Sequence, residues 1–352
     1  MAEATRKVGD MRVSGVFCFA VMVALVLVAG GLPAAAQSTI VRFTLDWKFE
    51  GQAAPFLFAL DKGFFTAEGL DVSIEQGNGS IEPITRVATG GYDLGFGDIN
   101  ALIKYRDQNP ANGLKPIFMV YNRPPFSIVS RKSRGVESPK DLEGKKLGAP
   151  AADGAFAQWP IFVQANGIDA SKVIVENVGF PVREPMLAAG QVDAVAGFSF
   201  TSYITLKDRG VPVEDIVLML MADYGVKLYG NAILVNSKFA AEKPDAVKAF
   251  LRAFLKGLKE SVRDPRRAVE SVLTRNEIAK RDTELERLRM AIRDNILTPE
   301  VKEHGYGVVD PARLQAAIDQ IGLTYKFKNK PPQPADVFDP SFLPPDNELR
   351  AH

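Results

Sequence analysis

Short apolar runs alternate along this chain with stretches of helical period, and glycine or polar junctions separate them. Residues 40–45 are rich in β-branched and aromatic side chains and predict a strand, and the apolar segment 53–61 predicts a helix. Residues 72–75 alternate as a short strand, and Asn78-Gly79-Ser80 reads as a turn. Ser80 is placed to cap a helix with Pro83 in its first turns and Gly90 at its end. A strand follows at 94–97, and Asp98 is placed to cap a helix running to Tyr105. This βαβαβα order implies an α/β fold with a parallel sheet covered by helices.

The pattern breaks at Tyr121-Asn122-Arg123-Pro124-Pro125, because a Pro-Pro pair cannot donate to a central ladder. A second α/β run follows. Strands are predicted at 126–130, 146–148, 173–178, 192–198 and 216–221, with helices over 159–165 and around Met186 and Leu187. The chain then returns through a strand at 231–235. The reading is a first lobe from 37–123 and 230–325, an inserted second lobe at 124–229, and a Pro-rich tail at 326–352 lying extended on the surface. The hinge is expected at 121–125 and 223–231, with Tyr224 and Tyr229 beside it. The C-terminal part of the first lobe is helical. There Val247, Phe250, Leu251, Phe254, Leu255 and Leu258 make one apolar stripe. Asp264-Pro265 and Asp310-Pro311 each read as an N-cap followed by proline at the first helical position.

The N-terminus changes the picture. Arg6, Lys7 and Arg12 precede an apolar run from Val16 to Leu32, then Pro33 and Ala34-Ala35-Ala36. That is the layout of a secretory signal peptide at 1–36, and it predicts a periplasmic protein. Cys18, the single cysteine, falls inside it, so the mature chain has no thiol for a disulfide, thiolate metal site or nucleophile. His304 and His352 are the two imidazoles, too few for a histidine metal centre. With 43 basic against 42 acidic residues, nothing suggests a nucleic-acid partner. The basic helices between 248 and 293 interleave acids and read as solvated faces.

No catalytic motif is present: there is no G-x-S-x-G, P-loop or H-E-x-x-H. No cofactor or metal is expected. Polar or aromatic clusters do recur where strands give way to helices, the place where open α/β sheets hold ligands. The first lobe offers Asp46, Trp47 and Gln52, then Asn78 and Ser80, then Asp98 and Asn100. The second offers Asp153 and Gly154, Arg183, and Phe198, Ser199 and Tyr203 with Phe200. Trp47 reads either as a cleft wall or as core filling. Asp98 and Asp153 read as N-caps or ligand contacts. Arg183 either clamps a carboxylate or sulfonate or pairs with Glu184.

In this order the motifs resemble the solute-binding proteins of ABC importers. They are similar to the branch that includes thiamine-pyrimidine-precursor, nitrate, taurine and alkanesulfonate binders. The resemblance covers residues 40–343. It is carried by Leu45-Asp46-Trp47, by Asp61-Lys62-Gly63-Phe64-Phe65 with Glu68-Gly69-Leu70-Asp71-Val72, and by Gly97-Asp98. It continues in the segment from Asp141 to Gly148, in Ala188-Ala189-Gly190-Gln191-Val192-Asp193-Ala194, in Asn231 to Val235, and in Lys243-Pro244-Asp245-Ala246-Val247. The resemblance implies a two-lobed, type II-like periplasmic-binding fold that closes on a small ligand. It implies a monomer that delivers the ligand to a permease and its ATPase at the inner membrane. Pyrimidine binders of the branch follow the Asp-Trp pair with Pro-Asn and a histidine, whereas this chain reads Lys48-Phe49-Glu50-Gly51-Gln52. A planar, heterocyclic or anionic ligand is expected. A ligand-sensing subunit for a receptor is an alternative. A pyrimidine-forming enzyme of the related class would need an active-site histidine and a cysteine cluster that this chain lacks.

Overall fold

Alternation of side chains sets the first strand. Val41 and Phe43 are fully buried while Ile40 and Arg42 face outward. The computed structural model describes residues 1–3, 5 and 38–351. The chain parts into Met1–Ser38 and Thr39–His352, and both sheets belong to the second unit. The charged segment, apolar run and cleavage site expected at 6–36 lie outside the described residues. Among the described residues, no helix is long and apolar enough to cross a membrane.

Among the described residues the ten strands are β1 (Thr39–Thr44), β2 (Leu70–Glu75), β3 (Leu94–Asp98), β4 (Lys115–Met119), β5 (Phe126–Arg131), β6 (Lys146–Ala149), β7 (Ile174–Asn177), β8 (Ala194–Phe198), β9 (Ile216–Leu220) and β10 (Asn231–Val235). They form two sheets, ordered β2-β1-β3-β10-β4 and β7-β6-β8-β5-β9. β1 pairs in parallel with β2, from Thr39 opposite Leu70 to Thr44 opposite Glu75. β10, however, runs antiparallel to both β3 and β4. In the second sheet β5 runs antiparallel to β8 and β9. Both sheets are therefore mixed, which corrects the parallel sheet expected from the early βαβ order. The strand that follows each crossing between the sheets enters from the opposite end, and a local element order does not reveal that.

The helices that matter here are α1 (Ala54–Asp61), α2 (Glu82–Ala88), α3 (Ile99–Gln108), α4 (Trp159–Ala165), α5 (Arg183–Ala188), α6 (Ser199–Asp208), α7 (Pro244–Arg263), α8 (Arg281–Ala291) and α9 (Pro311–Gly322). The apolar stripe of α7 is buried throughout and packs on α1, with the rings of Phe254 and Phe56 stacked at 4.3 Å. Each such aliphatic or aromatic side chain contributes about 1.5–3 kcal/mol by leaving water. Asp264 and Asp310 cap their helices as expected, accepting from the backbone N–H groups of Arg267 and Arg313.

Three local expectations change. Ser80 does not cap α2: Ile81 holds the cap position, and no side chain caps the helix. The face of α8 is not wholly solvated, since Glu284 and Arg287 are buried and paired at 3.1 Å. The tail does not run extended. It folds into short turns at Pro334–Val337, Pro340–Phe342 and Asp346–Leu349 and buries Val337, Phe338 and Leu349. Apolar residues placed between the prolines anchor it.

The two crossings lie side by side. Gly230 N–H donates to Tyr121 O at 2.9 Å, Tyr121 N–H donates to Asn231 O at 3.0 Å, and Arg123 pairs with Asp223.

Candidate functional site

The C-terminal end of β1 delivers Asp46 and Trp47 to the space between the sheets. The carboxylate of Asp46 is buried and accepts from Asn231 Nδ2, on β10, at 2.9 Å. Burial pushes the Asp46 carboxyl up to about 7, and the nearby Glu50 adds to this, while its own backbone N–H and Asn231 oppose it. Gly79 N–H donates to Asp46 O at 2.8 Å, so the turn before α2 is tied to the same strand end.

The opposing wall comes from the second sheet. Asp153 and Gly154 follow β6, Phe180 opens the short 3-10 turn that leads into α5, Arg183 begins α5, and Phe198, Phe200 and Thr201 stand at the β8–α6 junction. Phe180 meets Trp47 edge-to-face, with ring centres 4.9 Å apart. The Arg183 guanidinium lies 5.6 Å from the Phe180 ring. It is only 2% exposed, donating from Nε to Glu184 at 2.7 Å and from NH1 to Asp153 at 2.8 Å. Burial works against this charge, but the fields of Glu184 and Asp153 outweigh it and hold the guanidinium above its ordinary value. Of the two roles open to Arg183 in the sequence, pairing with acids is the one the structure displays.

The lobes touch. An added Cβ at Gly79, where φ is +107°, would stand 3.0 Å from both Ala152 O and the Phe180 ring, and one at Gly154 would stand 2.2 Å from Ser80 Oγ. At Gly79 the positive φ and the opposing carbonyl favour glycine, and at Gly154 the near obstacle is the Ser80 hydroxyl. The free volume enclosed by Asp46, Trp47, Gln52, Ser80, Asp153, Phe180 and their neighbours is about 20 Å³. Small-molecule sites hold about 300–1,000 Å³, so the cleft as it stands is far smaller than a typical ligand site.

Several buried polar atoms on these walls have no partner: Trp47 Nε1, Gln52 Oε1 and Ser80 Oγ, with Tyr121 OH and Ser199 Oγ nearer the crossings. Buried polar groups are normally paired. The unpaired ones here combine a donor, an acceptor and hydroxyls that serve as either.

Of the residues singled out in the sequence, Asp46, Trp47, Gln52, Ser80, Asp153, Gly154, Arg183, Phe198 and Phe200 line the cleft. The others lie elsewhere. Asn78 is exposed, and its N–H donates to Glu82 at 2.7 Å. Asp98 caps α3 and accepts from Asn100 Nδ2 at 2.7 Å, and Asn100 also donates to Tyr229 O. Burial raises the Asp98 carboxyl to about 6. Ser199 turns toward the crossing, donating its N–H to Pro125 O at 2.8 Å. Tyr203, one turn further along α6, packs against the aliphatic cluster of Leu187, Val195 and Leu206. Phe180 and Thr201 carried no site expectation. An aromatic residue directly before Pro181, at a strand-to-helix junction, was the available signal for the first.

Among the described residues, no group of three or more acidic, histidine or cysteine side chains is arranged to hold a metal ion. The family described as NMT1/THI5 like matches residues 50–268. The chain belongs to that family. It is 26% identical over 240 residues to a riboflavin-binding protein of Chloroflexus aurantiacus, covering 67% of this chain and 66% of that one. It is 29% identical over 242 residues to a formylaminopyrimidine-binding protein of Halalkalibacterium halodurans, covering 68% and 71%. It is also 22% identical over 234 residues to a 4-amino-5-hydroxymethyl-2-methylpyrimidine phosphate synthase of Schizosaccharomyces pombe, covering 64% and 66%. The aligned segment thus spans about two thirds of these relatives' lengths. The solved alkanesulfonate-binding protein of Xanthomonas axonopodis pv. citri, bound to MOPS, shares the fold: TM-score 0.66 at 14% identity, over 87% of this chain and all of that one. This NMT1/THI5-like chain has the two-lobed periplasmic-binding fold, with mixed sheets and a helical C-terminal part.

Proposed function

We propose that this protein is a periplasmic solute-binding subunit that captures a small planar organic molecule by lobe closure and hands it to an ABC importer. The observation that carries the reading is the cleft between the sheets, where Trp47 Nε1, Gln52 Oε1 and Ser80 Oγ are buried and unpartnered between aromatic walls. A planar ligand would lie against Trp47, Phe180 and Phe198 and supply the missing hydrogen bonds. The paired crossings at Tyr121 and Gly230 would act as the hinge. The lobes would be residues 37–123 with 230–325, and 124–229, as the chain pattern suggests.

The names of the riboflavin- and formylaminopyrimidine-binding relatives support a heterocyclic ligand. The synthase relative raises the enzyme alternative. Against it, the residues of the cleft wall include no histidine, and the sequence holds only His304 and His352. The binding reading is preferred on that chemistry.

The test is a thermal-shift panel of pyrimidines, flavins, sulfonates and aromatic acids on protein stripped of carried-over ligand, followed by small-angle scattering with each hit. A hundredfold excess over Kd stabilises by about 2.7 kcal/mol, and the scattering radius should fall. A stabilising ligand that leaves the radius unchanged would sink the clamp mechanism.

A further inference from the structure

The charges around the cleft have a definite sign. Arg183 is the guanidinium on the wall, and both Asp153 and Glu184 hold it, at 2.8 and 2.7 Å. Glu184 also accepts from Ser202 Oγ at 2.7 Å. Asp46 is a further buried carboxylate on the wall, and its side-chain partner is the neutral amide of Asn231. Glu50 stands close enough to Asp46 for its charge to be felt there. The cation beside Glu50 is Arg287 at 3.6 Å, which Glu284 shares at 3.1 Å and which also donates to Phe200 O at 3.1 Å. Lys48 is exposed, its ammonium 5.5 Å from the Trp47 ring.

Carboxylates therefore outnumber cations at this cleft, and each buried guanidinium is already committed to acids. An anionic ligand would enter beside Asp46 and find its charge unanswered, a repulsion that low-dielectric surroundings strengthen. A ligand that brings N–H donors meets the reverse. The Asp46 carboxylate accepts, and Gln52 Oε1, on a side chain 4% exposed, is an acceptor without a donor. Trp47 Nε1 is a donor without an acceptor, so the same ligand needs one acceptor atom as well. The aromatic walls favour a flat cation.

We infer that the cleft selects a planar organic cation or an amidine-like donor pair, read by Asp46 and Gln52, and rejects carboxylates and sulfonates of the same size. This deepens the solute-binding reading and rests on it.

Three probes of similar size decide it: benzamidinium, its planar anionic counterpart benzoate, and the tetrahedral anion benzenesulfonate, titrated calorimetrically into the ligand-stripped protein at pH 8. Benzamidinium should bind, and both anions should bind at least tenfold more weakly or give no heat. Asp46→Asn should weaken benzamidinium at least tenfold, and Gln52→Leu several-fold. If Asp46→Asn does not fold, the wild-type ranking and Gln52→Leu still decide. An anion binding as tightly as benzamidinium, unchanged benzamidinium affinity in folded Asp46→Asn, or no binding of any probe overturns the inference. The clamp reading fails separately, through absence of compaction with ligands found in the wider panel.

Discussion

The amide of Gln158, on the second lobe, donates to the carboxylate of Asp98, on the first, at 3.1 Å, and both side chains are wholly out of water. Asp98 also accepts from Asn100 and Ala101 at the start of α3. The helix cap is thus at the same time a seam between the lobes. Gln158→Ala removes one donor from a buried carboxylate and should cost about 1–3 kcal/mol. Denaturant unfolding of the protein saturated with a hit from the ligand panel measures this directly, and a change within 0.5 kcal/mol (roughly the scatter of surface substitutions) would mean that the seam is open in the closed state too.

Arg183 holds two carboxylates apart in a dry wall. Arg183→Met should leave Asp153 and Glu184 facing one another and destabilise the fold by about 3–5 kcal/mol. Equilibrium unfolding tests it. A guanidinium that served to clamp an anion would behave differently, with weaker binding of that anion and little change in stability.

Gly154 and Ser80 form a steric pair across the cleft. Gly154→Ala should hinder closure, since the new methyl would stand 2.2 Å from Ser80 Oγ but 3.5 Å from Ser80 Cβ. Ligand affinity should drop in the single variant, and in Gly154→Ala/Ser80→Ala it should recover to the level of Ser80→Ala alone, which lacks the hydroxyl offered to the ligand. Scattering should report the same order, expanded and then compact. Failure of the double variant to recover would place the obstruction elsewhere.

Trp47 meets Phe180 across the mouth. Trp47→Ala should reduce ligand affinity by about 1–3 kcal/mol while the unfolding transition remains cooperative. Calorimetry with any hit from the ligand panel checks it, and unchanged affinity would return the indole to a packing role.

Asp46 makes stability and binding respond oppositely to pH. Its carboxyl, ordinarily near 3.8, is raised to about 7 in the fold, so the folded state holds a proton that the unfolded chain has released. The contribution is fully present below 3.8 and is lost as pH rises through about 7. Asp98 behaves alike, its contribution being lost as pH rises from 3.8 through about 6. Ligand-free protein should therefore lose stability from pH 5 to 8, less steeply in Asp46→Asn. Thermal unfolding across that range checks the slope. Binding of a permanently cationic ligand should instead strengthen over the same range, as Asp46 ionises.

Much of the architecture was legible in the chain. The alternation in 40–45, the stripe of α7 and the Asp-Pro starts at 264 and 310 each express a local physical rule, and each element formed where that rule placed it. The wall of the candidate cleft was legible at the ends of strands, where Asp46, Trp47 and Phe198 stand. What could not be read locally was orientation within a turn. Ser80 faces the other lobe and Ser199 the crossing, though both occupy similar junctions. The fate of Arg183 depended on Asp153, thirty positions earlier in the chain. The direction of β10 depended on where the chain re-entered the first sheet.

That re-entry has a consequence for the order of assembly. β10 separates β3 from β4, so the sheet that begins first in the sequence cannot be completed until 231–235 has been made. All five strands of the other sheet lie between Phe126 and Leu220 and can pair without waiting. During synthesis the interrupted sheet keeps the edges of β3 and β4 unpaired while the inserted one condenses. Its long-range pairing makes it the slower half, and the half most exposed to edge-to-edge aggregation.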